Sequence, residues 1–498
     1  MDQAVQIFGR FSVKKALWGL FFLHILFHLP MLNTPPVGLH YWRQIVGHSM
    51  ARNYFTEPSS FLESRVDIRT EPEDSGIIYH EFPLTYWLAG QSYALFGVQN
   101  ITPRLIALLF NLLLIFFAYR LARVLEYDPE KAFLFSFLLT SAPLYFYYSV
   151  ALTPDILGLT FFIGGLAYFL SSLKEKGFSS FLFGTGLLIL GTLCKPTYLF
   201  FGLAVAVPFF ILLKKERKLA ILWRGLAAGT AVLATNAYIL RQSKIFYDQS
   251  PSERQLHTPI GPAESFGPLK EVLEPWLRAV TTWFIEVEVG YLVLPAFLVG
   301  LWQVWQAPRF RSFSAAFWLS WFVGFCVYFY FFGSRFAHHD YYMTCILPIV
   351  AILSAGGLLF ISKKPWFGKR LLYILALIFL AGYIRVAGRW FFNPGLPNAL
   401  VYQGRQISQD IPEKDLIFVG GDKTPNAYFY FLERKGVSLN NRIHAHIKDL
   451  PYQNFKWLVQ NRDKGPVEKE LFSLYSVELV RSVAEFDIYR LTSLVSKG

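Results

Sequence analysis

Three acidic side chains are candidates for a general base. Asp67 lies between two arginines in SRVDIRT, Glu81 precedes an apolar segment in YHEFPLTYW, and Asp155 follows a proline in SVALTPDILG. A carboxylate at the edge of an apolar segment needs a partner or a chemical task, because an unpaired buried charge is costly. The alternative for Asp67 is local pairing with the arginines. The alternative for Asp155 is a helix cap, since Pro154 suits the first turn of a helix.

A second set of side chains supplies positive charge at similar positions. The set comprises Arg43 in HYWRQ, Lys195 in TLCKPTYL, and Arg335, His338 and His339 in GSRFAHHDYYMTCILP. Lysine and arginine at a membrane edge hold phosphate by charge-assisted hydrogen bonds, and snorkelling to the headgroup level is the alternative. A zinc site at HHD is disfavoured because adjacent histidines do not face the same way on a helix.

Acids and phosphate-binding cations at one membrane edge suit one class of reaction. The cations hold the phosphate of a lipid-linked sugar, which leaves, while a carboxylate takes the proton of the attacking hydroxyl. Trp42, Gln44 and Tyr341 stand close in sequence to these cations and are predicted to contact the donor or the acceptor. The residues therefore predict transfer of a sugar from a lipid-phosphate carrier.

The composition places these residues in a membrane. Of 498 residues, 54% are hydrophobic and only 16% are charged, whereas about a quarter of an ordinary soluble domain is charged. The net charge of +13 suggests nucleic acid at first sight. However, the basic residues concentrate in short loops between apolar runs, as the positive-inside rule requires. The sequence therefore predicts a polytopic α-helical membrane protein without a nucleic-acid partner.

Eleven apolar segments are predicted to span the bilayer, each close to the ~20 residues that a span needs. They are 15–32, 102–124, 130–150, 155–173, 178–194, 195–213, 221–240, 286–306, 312–332, 341–361 and 370–390. Basic connections such as KEKG and KKERK then share one side, which is predicted to be cytoplasmic together with the N-terminus. The shorter segment 83–98 is predicted to lie at the interface or to re-enter the membrane.

This threading predicts a transmembrane region, 1–390, and an extracytoplasmic tail, 391–498. The transmembrane region carries two outer loops, 33–101 and 241–285. In the tail, DLIFVGG predicts a buried strand, DKTPNAYFYFLERKG a turn and a helix ending at Gly436, and FDIYRL a late strand. The tail is therefore predicted to be a small α/β domain. FVGGD lacks the glycine spacing of a dinucleotide-binding loop.

The order of these parts resembles bacterial GT-C membrane glycosyltransferases of the protein O-mannosyltransferase and aminoarabinose transferase superfamily (glycosyltransferase family 39-like). The matching stretches are HYWRQ…ARNYF, RVD…EFPLTYW, TPDILGL, CKPTYL and HHDYYMTCILP. Each stretch alone is degenerate, and their order over essentially the whole chain is the specific part.

The resemblance implies a polyprenyl-phosphate-linked sugar as donor and transfer with inversion on the periplasmic face of the inner membrane. Lipid A, other envelope glycans and proteins are the implied acceptors. Asp67 and Glu81 match acidic positions of the first-loop pattern, Asp155 the outer-edge aspartate, and Lys195 the Lys-Pro pair. The chain departs from the family pattern W-R-Q-x-D-T at Val46, which stands where the aspartate is expected. Asp67 or Glu81 is then expected to supply the base.

Two other functions are compatible with these residues. One is a transporter or flippase of lipid-linked glycans, which is disfavoured because few charges fall in mid-span and no internal repeat is evident. The other is a non-catalytic subunit of a glycan-assembly complex, which Val46 favours. No cofactor is required by the residues, and a divalent metal, Mg²⁺ or Mn²⁺, is left open. The expected partners are the polyprenyl-phosphate sugar, membrane lipids and a lipid or protein acceptor.

Overall fold

The chain forms two compact units. In the computed structural model the described residues are 12–78, 82–175, 177–216, 219–249, 277, 281, 284, 290–306, 312–336, 339–368, 370–391, 395–422, 424, 426–439, 450–467 and 469–494. The first unit comprises Met1–Leu32, Arg104–Ile239 and Ile260–Gly388, and the second comprises Asn33–Pro103, Leu240–Pro259 and Arg389–Gly498. The second unit therefore combines the whole predicted first outer loop and part of the second with the C-terminal tail.

Helices make up most of the described residues up to 391. They are α1 (Val13–Leu32), α2 (Tyr41–Thr56), α3 (Leu84–Phe96), α4 (Ile101–Val124), α5 (Pro129–Ser141), α6 (Pro143–Tyr148), α7 (Pro154–Glu175), α8 (Phe178–Cys194), α9 (Leu203–Glu216), α10 (Leu219–Gln249), α11 (Leu294–Gln306), α12 (Phe313–Phe336), α13 (Leu347–Ser362), α14 (Pro365–Gly368) and α15 (Leu371–Phe391). Two 3₁₀ helices, Pro196–Gly202 and Asp340–Ile346, lead directly into α9 and α13.

Each of the eleven predicted spans contains a helix, but helix length does not confirm their number. Within the described residues, eight helices are long and apolar enough to cross a membrane. Helices α5 and α11 have only 13 residues each, and α8 has 17. Helix α5 ends before Pro143 because a residue that precedes proline is driven to extended backbone, and Ala142 has φ −61° and ψ 137°.

Glycines bring α7 and α8 into close antiparallel contact. A Cβ on Gly184 would lie 2.4 Å from the backbone nitrogen of Phe169, and one on Gly191 would lie 2.6 Å from that of Phe162. Any side chain at these positions would push the helices apart, which is the usual reason for small residues at membrane helix interfaces. The pairing places the first residues of α7 beside the chain that leaves α8.

Two histidines one turn apart on α1 differ in how their ring nitrogens are satisfied. With Nδ1 protonated, His28 donates to the carbonyl of His24 at 2.7 Å, and its Nε2 accepts from the Ser149 hydroxyl at 2.9 Å. Neither ring nitrogen of His24 has a hydrogen-bond partner among the described residues. Its buried ring is packed against Phe146 and Phe379 at centroid distances of 4.9 and 5.0 Å.

The same substitution at these two positions should therefore have opposite consequences. His24→Phe is expected to leave the thermal unfolding midpoint of the purified protein unchanged or higher, since it removes unsatisfied buried polar atoms. His28→Phe should lower the midpoint. The free energy of unfolding should fall by about 1–3 kcal/mol, because the groups that hydrogen-bond to His28 lose their partner. Scanning fluorimetry in one detergent checks both. An equal loss in the two variants would contradict the contrast.

The C-terminal part of the second unit is built on a mixed five-stranded sheet. Its strands are β3 (Leu416–Gly420), β4 (Lys435–Ser438), β5 (Phe455–Asn461), β6 (Tyr475–Val483) and β7 (Phe486–Ser493), and β1 (Ser64–Arg65) pairs with β2 (Ile77–Ile78) in a separate hairpin. The sheet order is β4-β3-β5-β7-β6, with β4, β3 and β5 parallel and the other pairs antiparallel. The short helices are α16 (Asn398–Ile407), α17 (Ala427–Leu432) and α18 (Leu471–Leu474). The predicted α/β tail is confirmed.

One predicted boundary in the tail is wrong. The helix predicted to end at Gly436 ends at Leu432, because Glu433 adopts a left-handed φ of 52°. Gly436 instead lies inside β4, where a Cβ would meet the carbonyl oxygen of Ile417 at 1.8 Å. Gly436 also forms a parallel bridge with Ile68. The predicted first loop thus covers the free edge of this sheet.

Candidate active site

An ion pair joins the start of α7 to the residue that follows α8. The Lys195 ammonium donates to Oδ1 of Asp155 at 2.5 Å. The Asp155 side chain is completely buried, and that of Lys195 is 12% exposed. Gly158 permits this approach, since a Cβ there would lie 2.9 Å from the Cβ of Lys195. The antiparallel packing of α7 and α8 therefore brings together two residues predicted separately.

The same ammonium lies over two tyrosine rings of the Asp340–Ile346 3₁₀ helix. Lys195 Nζ is 4.8 Å from the ring centroid of Tyr342 and 5.4 Å from that of Tyr341. Aromatic faces at this distance stabilise a cation without neutralising it. We call these four residues, Asp155, Lys195, Tyr341 and Tyr342, the Asp155 cluster. The His339 ring stacks on Tyr341 at 5.3 Å, which adds a second predicted cation to the edge of the cluster.

A second buried acid holds this 3₁₀ helix in place. The hydroxyl of Tyr148 donates to Oδ1 of Asp340 at 2.6 Å. The Tyr148 ring also packs edge-on against Tyr341, with 5.9 Å between the ring centroids. Tyr148 belongs to α6, which follows the break at Pro143, so the tyrosine-rich stretch before α7 helps to fix the rings that face Lys195.

One oxygen of Asp155 is left without a partner. Oδ2 is buried and receives no hydrogen bond from any residue that the structure describes. A buried acceptor without a donor is costly, and such atoms in native proteins call for an explanation. A hydroxyl group of a bound molecule would satisfy Oδ2, while Lys195 provides a positive charge for an adjacent phosphate. The Asp155 cluster therefore has the chemistry to bind a phosphorylated, hydroxyl-bearing ligand.

Asp67, in the second unit, is surrounded by donors from α2. Its Oδ2 accepts from Ser49 Oγ at 2.7 Å and from the Arg52 guanidinium at 2.8 Å, and its Oδ1 accepts from Asn53 Nδ2 at 3.1 Å. The backbone N–H of Asp67 donates to Asn426 Oδ1 at 3.3 Å. We call Ser49, Arg52, Asn53 and Asp67 the Asp67 cluster. Asp67 forms its ion pair with Arg52 and not with the two arginines that flank it in the sequence.

Arg52 connects this cluster to α17. Its guanidinium donates to the backbone carbonyl of Tyr430 at 2.7 Å and lies 4.7 Å from the centre of the Tyr430 ring. Burial is the largest single influence and lowers the pKa of Arg52, but Asp67, Tyr430 and Glu433 together outweigh it, so the pKa is raised above its usual value. Arg52 therefore stays charged and ties α2 to the C-terminal part of the second unit.

Glu57, which follows α2, is an ion-pairing centre that the sequence did not single out. Its carboxylate lies 3.3 Å from Arg69, 3.7 Å from Arg65 and also accepts a hydrogen bond from Lys435. Lys435 opens β4, so this contact and the bridge at Gly436 attach the same loop to the same strand. Glu57 therefore has a structural task at the sheet edge.

The stretch HYWRQIVGHSMARNYF forms α2 and is mostly buried. Arg43 is 5% exposed, and Gln44 donates to the carbonyl of Val37 at 3.2 Å. Trp42, at the start of the helix, is partly exposed. Val46 is 2% exposed and packed inside the unit. An aspartate in its place would be buried and would need its own donors.

At the carboxyl end of β3, Asp422 caps the turn into α17. It accepts from the backbone N–H groups of Thr424 and Tyr428 at 2.8 and 2.9 Å. Burial raises the pKa of Asp422 to about 6, and these hydrogen bonds partly oppose the rise. Burial, with the charge of Asp422, also raises the pKa of Tyr41 to about 12. Asp422 is thus a buried structural acid.

Comparison with known proteins connects this architecture to glycosyltransferases. A family model described as dolichyl-phosphate-mannose-protein mannosyltransferase matches residues 80–239, a range that includes Asp155 and Lys195. None of the curated protein sequences matches the chain.

Solved structures of similar fold match nearly the whole chain. ArnT from Cupriavidus metallidurans, solved in the apo state and bound to undecaprenyl phosphate, is 13–14% identical, with a TM-score of 0.65, over 96% of this chain and 98% of that one. The chain has the GT-C fold. The archaeal oligosaccharyltransferase AglB from Archaeoglobus fulgidus, in complex with an inhibitory peptide and a dolichol-phosphate, is 12% identical over 96% of this chain and 74% of that one, with a TM-score of 0.54. Arabinofuranosyltransferase AftD from mycobacteria is 12% identical over 97% of this chain and 40% of that one, with a TM-score of 0.57.

Some predicted site residues of this GT-C chain lie outside the described residues. These are Glu81 and His338, and for Arg335 the backbone is described within α12 but the side chain is not. Their roles stay predictions. Within the described part of the chain, no group of three or more histidine, cysteine, aspartate or glutamate side chains could hold a metal ion.

Several residues in or next to the two clusters are not evident from the sequence of the GT-C chain alone. Tyr342, Asp340, Ser49, Arg52 and Asn53 carry interactions that only the fold creates. In ARNYF, Arg52 and Asn53 stand among several other polar residues of a mostly buried helix. Their common target, Asp67, lies beyond the end of that helix, and no local pattern links the two.

Proposed function

We propose that this chain is an integral membrane glycosyltransferase that moves a sugar from a polyprenyl-phosphate carrier to an envelope acceptor. The observation that carries the proposal is the Lys195–Asp155 pair beneath the Tyr341 and Tyr342 rings, with an Oδ2 that no residue in the described part of the chain hydrogen-bonds. The GT-C fold and the carriers named with ArnT and AglB, undecaprenyl phosphate and dolichol-phosphate, support the choice of donor.

In the proposed reaction, a hydroxyl of the acceptor attacks the anomeric carbon of the donor sugar from the face opposite the phosphate. The new carbon–oxygen bond forms as the bond to the phosphate oxygen breaks, and the polyprenyl phosphate leaves with the electron pair. Attack from the opposite face inverts the anomeric centre. The hydroxyl proton passes to a carboxylate of the protein. Atoms and charge balance with one base and no redox partner.

Two residues of the Asp155 cluster, Lys195 and Asp155, have proposed roles in that reaction, and the other residues named below lie outside the cluster. Lys195 stabilises the charge that develops on the departing phosphate, with His339 and Arg43 as further proposed phosphate contacts. Asp155 accepts a hydrogen bond from a substrate hydroxyl through Oδ2 and keeps Lys195 oriented through Oδ1. Asp67 and Glu81 are retained as proposed bases because Val46 replaces the expected aspartate.

The setting of the reaction is also a proposal. We place the chain as a multi-pass protein of the inner membrane, with the Asp155 cluster and the C-terminal α/β domain on the periplasmic side. The basic loops of the sequence support this orientation. The acceptor is lipid A, another envelope glycan or a protein.

The test combines genetics with a defined assay. Mass spectrometry of envelope lipids and glycoproteins from a strain lacking the chain should reveal one missing sugar, which names donor and acceptor together. The purified protein in liposomes, given that radiolabelled lipid-linked sugar, should then release polyprenyl phosphate and label the acceptor. Parallel reactions with EDTA, Mg²⁺ or Mn²⁺ test metal dependence. Counter-flow of labelled lipid without transfer would favour a flippase, and inertness in both assays a non-catalytic subunit.

A further inference from the structure

A long apolar groove opens on the side of the first unit and runs from the residues around Lys131 to Met343 and Ile346 of the Asp340–Ile346 3₁₀ helix. It lies between α11 and α12, has α13 as its floor, and has a volume of about 630 Å³. Three of its apolar wall residues, Leu301, Leu319 and Phe322, are 41–48% exposed. In a membrane protein, an open apolar groove of this kind faces lipid chains.

One end of the groove carries hydrogen-bond donors. Lys131 lies there with Nζ 4.3 Å from the centre of the Tyr127 ring, and the hydroxyls of Ser312 and Ser314 are 3.5 Å apart. The buried indole Nε1 of Trp318 and the Ser314 hydroxyl lie beside the Tyr127 hydroxyl at this end of the groove. Ammonium, indole N–H and hydroxyl groups together suit an anion with several acceptor oxygens.

The charge of Lys131 is not neutralised at this position. Within the described part of the chain, its ammonium forms no ion pair with a carboxylate. The nearby Asp128 caps the helix, since its Oδ1 accepts from the Lys131 backbone N–H at 2.8 Å. Lys131 also stands in the first turn of α5, where the helix dipole adds positive potential. Asp128 and Glu130 also stand at this start of α5, and the charge of Asp128 acts on Lys131. Lys131 therefore supplies a cation at this end of the groove without making its surroundings electropositive.

The dimensions of the groove fit one lipid chain. Its wall on α12 runs from Ser314 to Phe329, which at ~1.5 Å per residue is about 22 Å. The hydrocarbon core is ~30 Å thick, so one leaflet needs about 15 Å. A lipid whose phosphate sits at Lys131 can extend an acyl chain through its own leaflet within the groove.

We propose that this groove is a binding site for an anionic phospholipid, with the phosphate at Lys131, Ser312, Ser314 and Trp318 and one acyl chain along α12. Basic pockets between membrane helices are known to bind such headgroups. The phosphate end of the site lies at the opposite end of α12 from the groove residue Met343. The site does not depend on the proposed sugar transfer. The occupant is a lipid of the leaflet at the Lys131 end.

Native mass spectrometry of the full chain tests the site, with phosphatidylglycerol and phosphatidylcholine of identical chains titrated as probes. The wild type should bind phosphatidylglycerol about tenfold more tightly. Lys131→Met should abolish the preference. Lys214→Met, which removes an exposed lysine near the end of α9 outside the groove, should retain it. Ala315→Trp, which fills the groove but keeps Lys131, should weaken both lipids.

Four results would overturn the proposal. These are equal binding of the two lipids by the wild type, the same loss in Lys131→Met and Lys214→Met, unchanged binding in Ala315→Trp, and displacement of phosphatidylglycerol by equimolar undecaprenyl phosphate. The last result would assign the groove to the polyprenyl carrier. A folding defect in Ala315→Trp is recognised by its thermal midpoint, and the comparison of Lys131→Met with Lys214→Met then decides.

Discussion

Lys195→Met is expected to reduce sugar transfer by about 10²–10³-fold, the usual effect of removing one group that stabilises developing charge. It should also weaken binding of undecaprenyl phosphate by about 10–100-fold, since hydrogen bonds to charged groups are worth about 1.5–3 kcal/mol. The reason is the position of the ammonium between the Asp155 carboxylate and the rings of Tyr341 and Tyr342. Radiolabelled transfer and isothermal titration measure the two quantities.

A control must separate chemistry from folding. Removal of Lys195 leaves the buried Asp155 carboxylate without its cation, and breaking such a pair costs about 3–5 kcal/mol. In the double variant Asp155→Asn with Lys195→Met no charge remains, so the thermal midpoint should return toward the wild type while transfer stays low. Lys174→Met, at a lysine paired with the exposed Glu126, should leave transfer unchanged. Wild-type transfer by the folded double variant would refute the role of the cluster.

Asp67→Leu is expected to destabilise the second unit by about 3–5 kcal/mol, because it leaves the buried Arg52 charge unpaired. The side chain of Asp67 is 1% exposed, and three α2 residues donate to it. Arg52→Leu should cause a comparable loss. Thermal unfolding of the two variants in one detergent measures the effect. Unchanged midpoints in both would show that the pair contributes no net stability.

The double variant Arg52→Leu with Asp67→Leu tells a structural acid from a catalytic one. Replacing both charges with apolar groups should recover at least about 2 kcal/mol relative to either single variant. If Asp67 is the base, the recovered protein still fails to transfer sugar. If it only holds α2 to the sheet, transfer returns with stability, and Glu81 becomes the stronger candidate for the base.

Local patterns were enough to predict the membrane helices and the general fold. A run of apolar residues specifies a buried or lipid-facing helix wherever it lies in the chain, so the eleven predicted segments all contain helices. The 3₁₀ helices that lead into α9 and α13 were not predicted, because 3₁₀ geometry depends on how residues such as Pro196 and Pro348 pack against the rest of the fold. The helix expected to reach Gly436 ended early for a similar reason, since Gly436 belongs to β4 and pairs with Ile417 of β3.

The sequence by itself determined the membrane class, the order of the segments and the chemical types available: buried acids, lysine and tyrosines in apolar surroundings. The tertiary structure alone decided which of them meet. Asp155 and Lys195 are 40 residues apart, and they form a pair because glycines let α7 and α8 pack closely. Asp67 finds Arg52 and not its sequence neighbours because a loop must fold back over α2. Contacts between distant residues depend on how whole elements pack, and no short stretch of sequence encodes them.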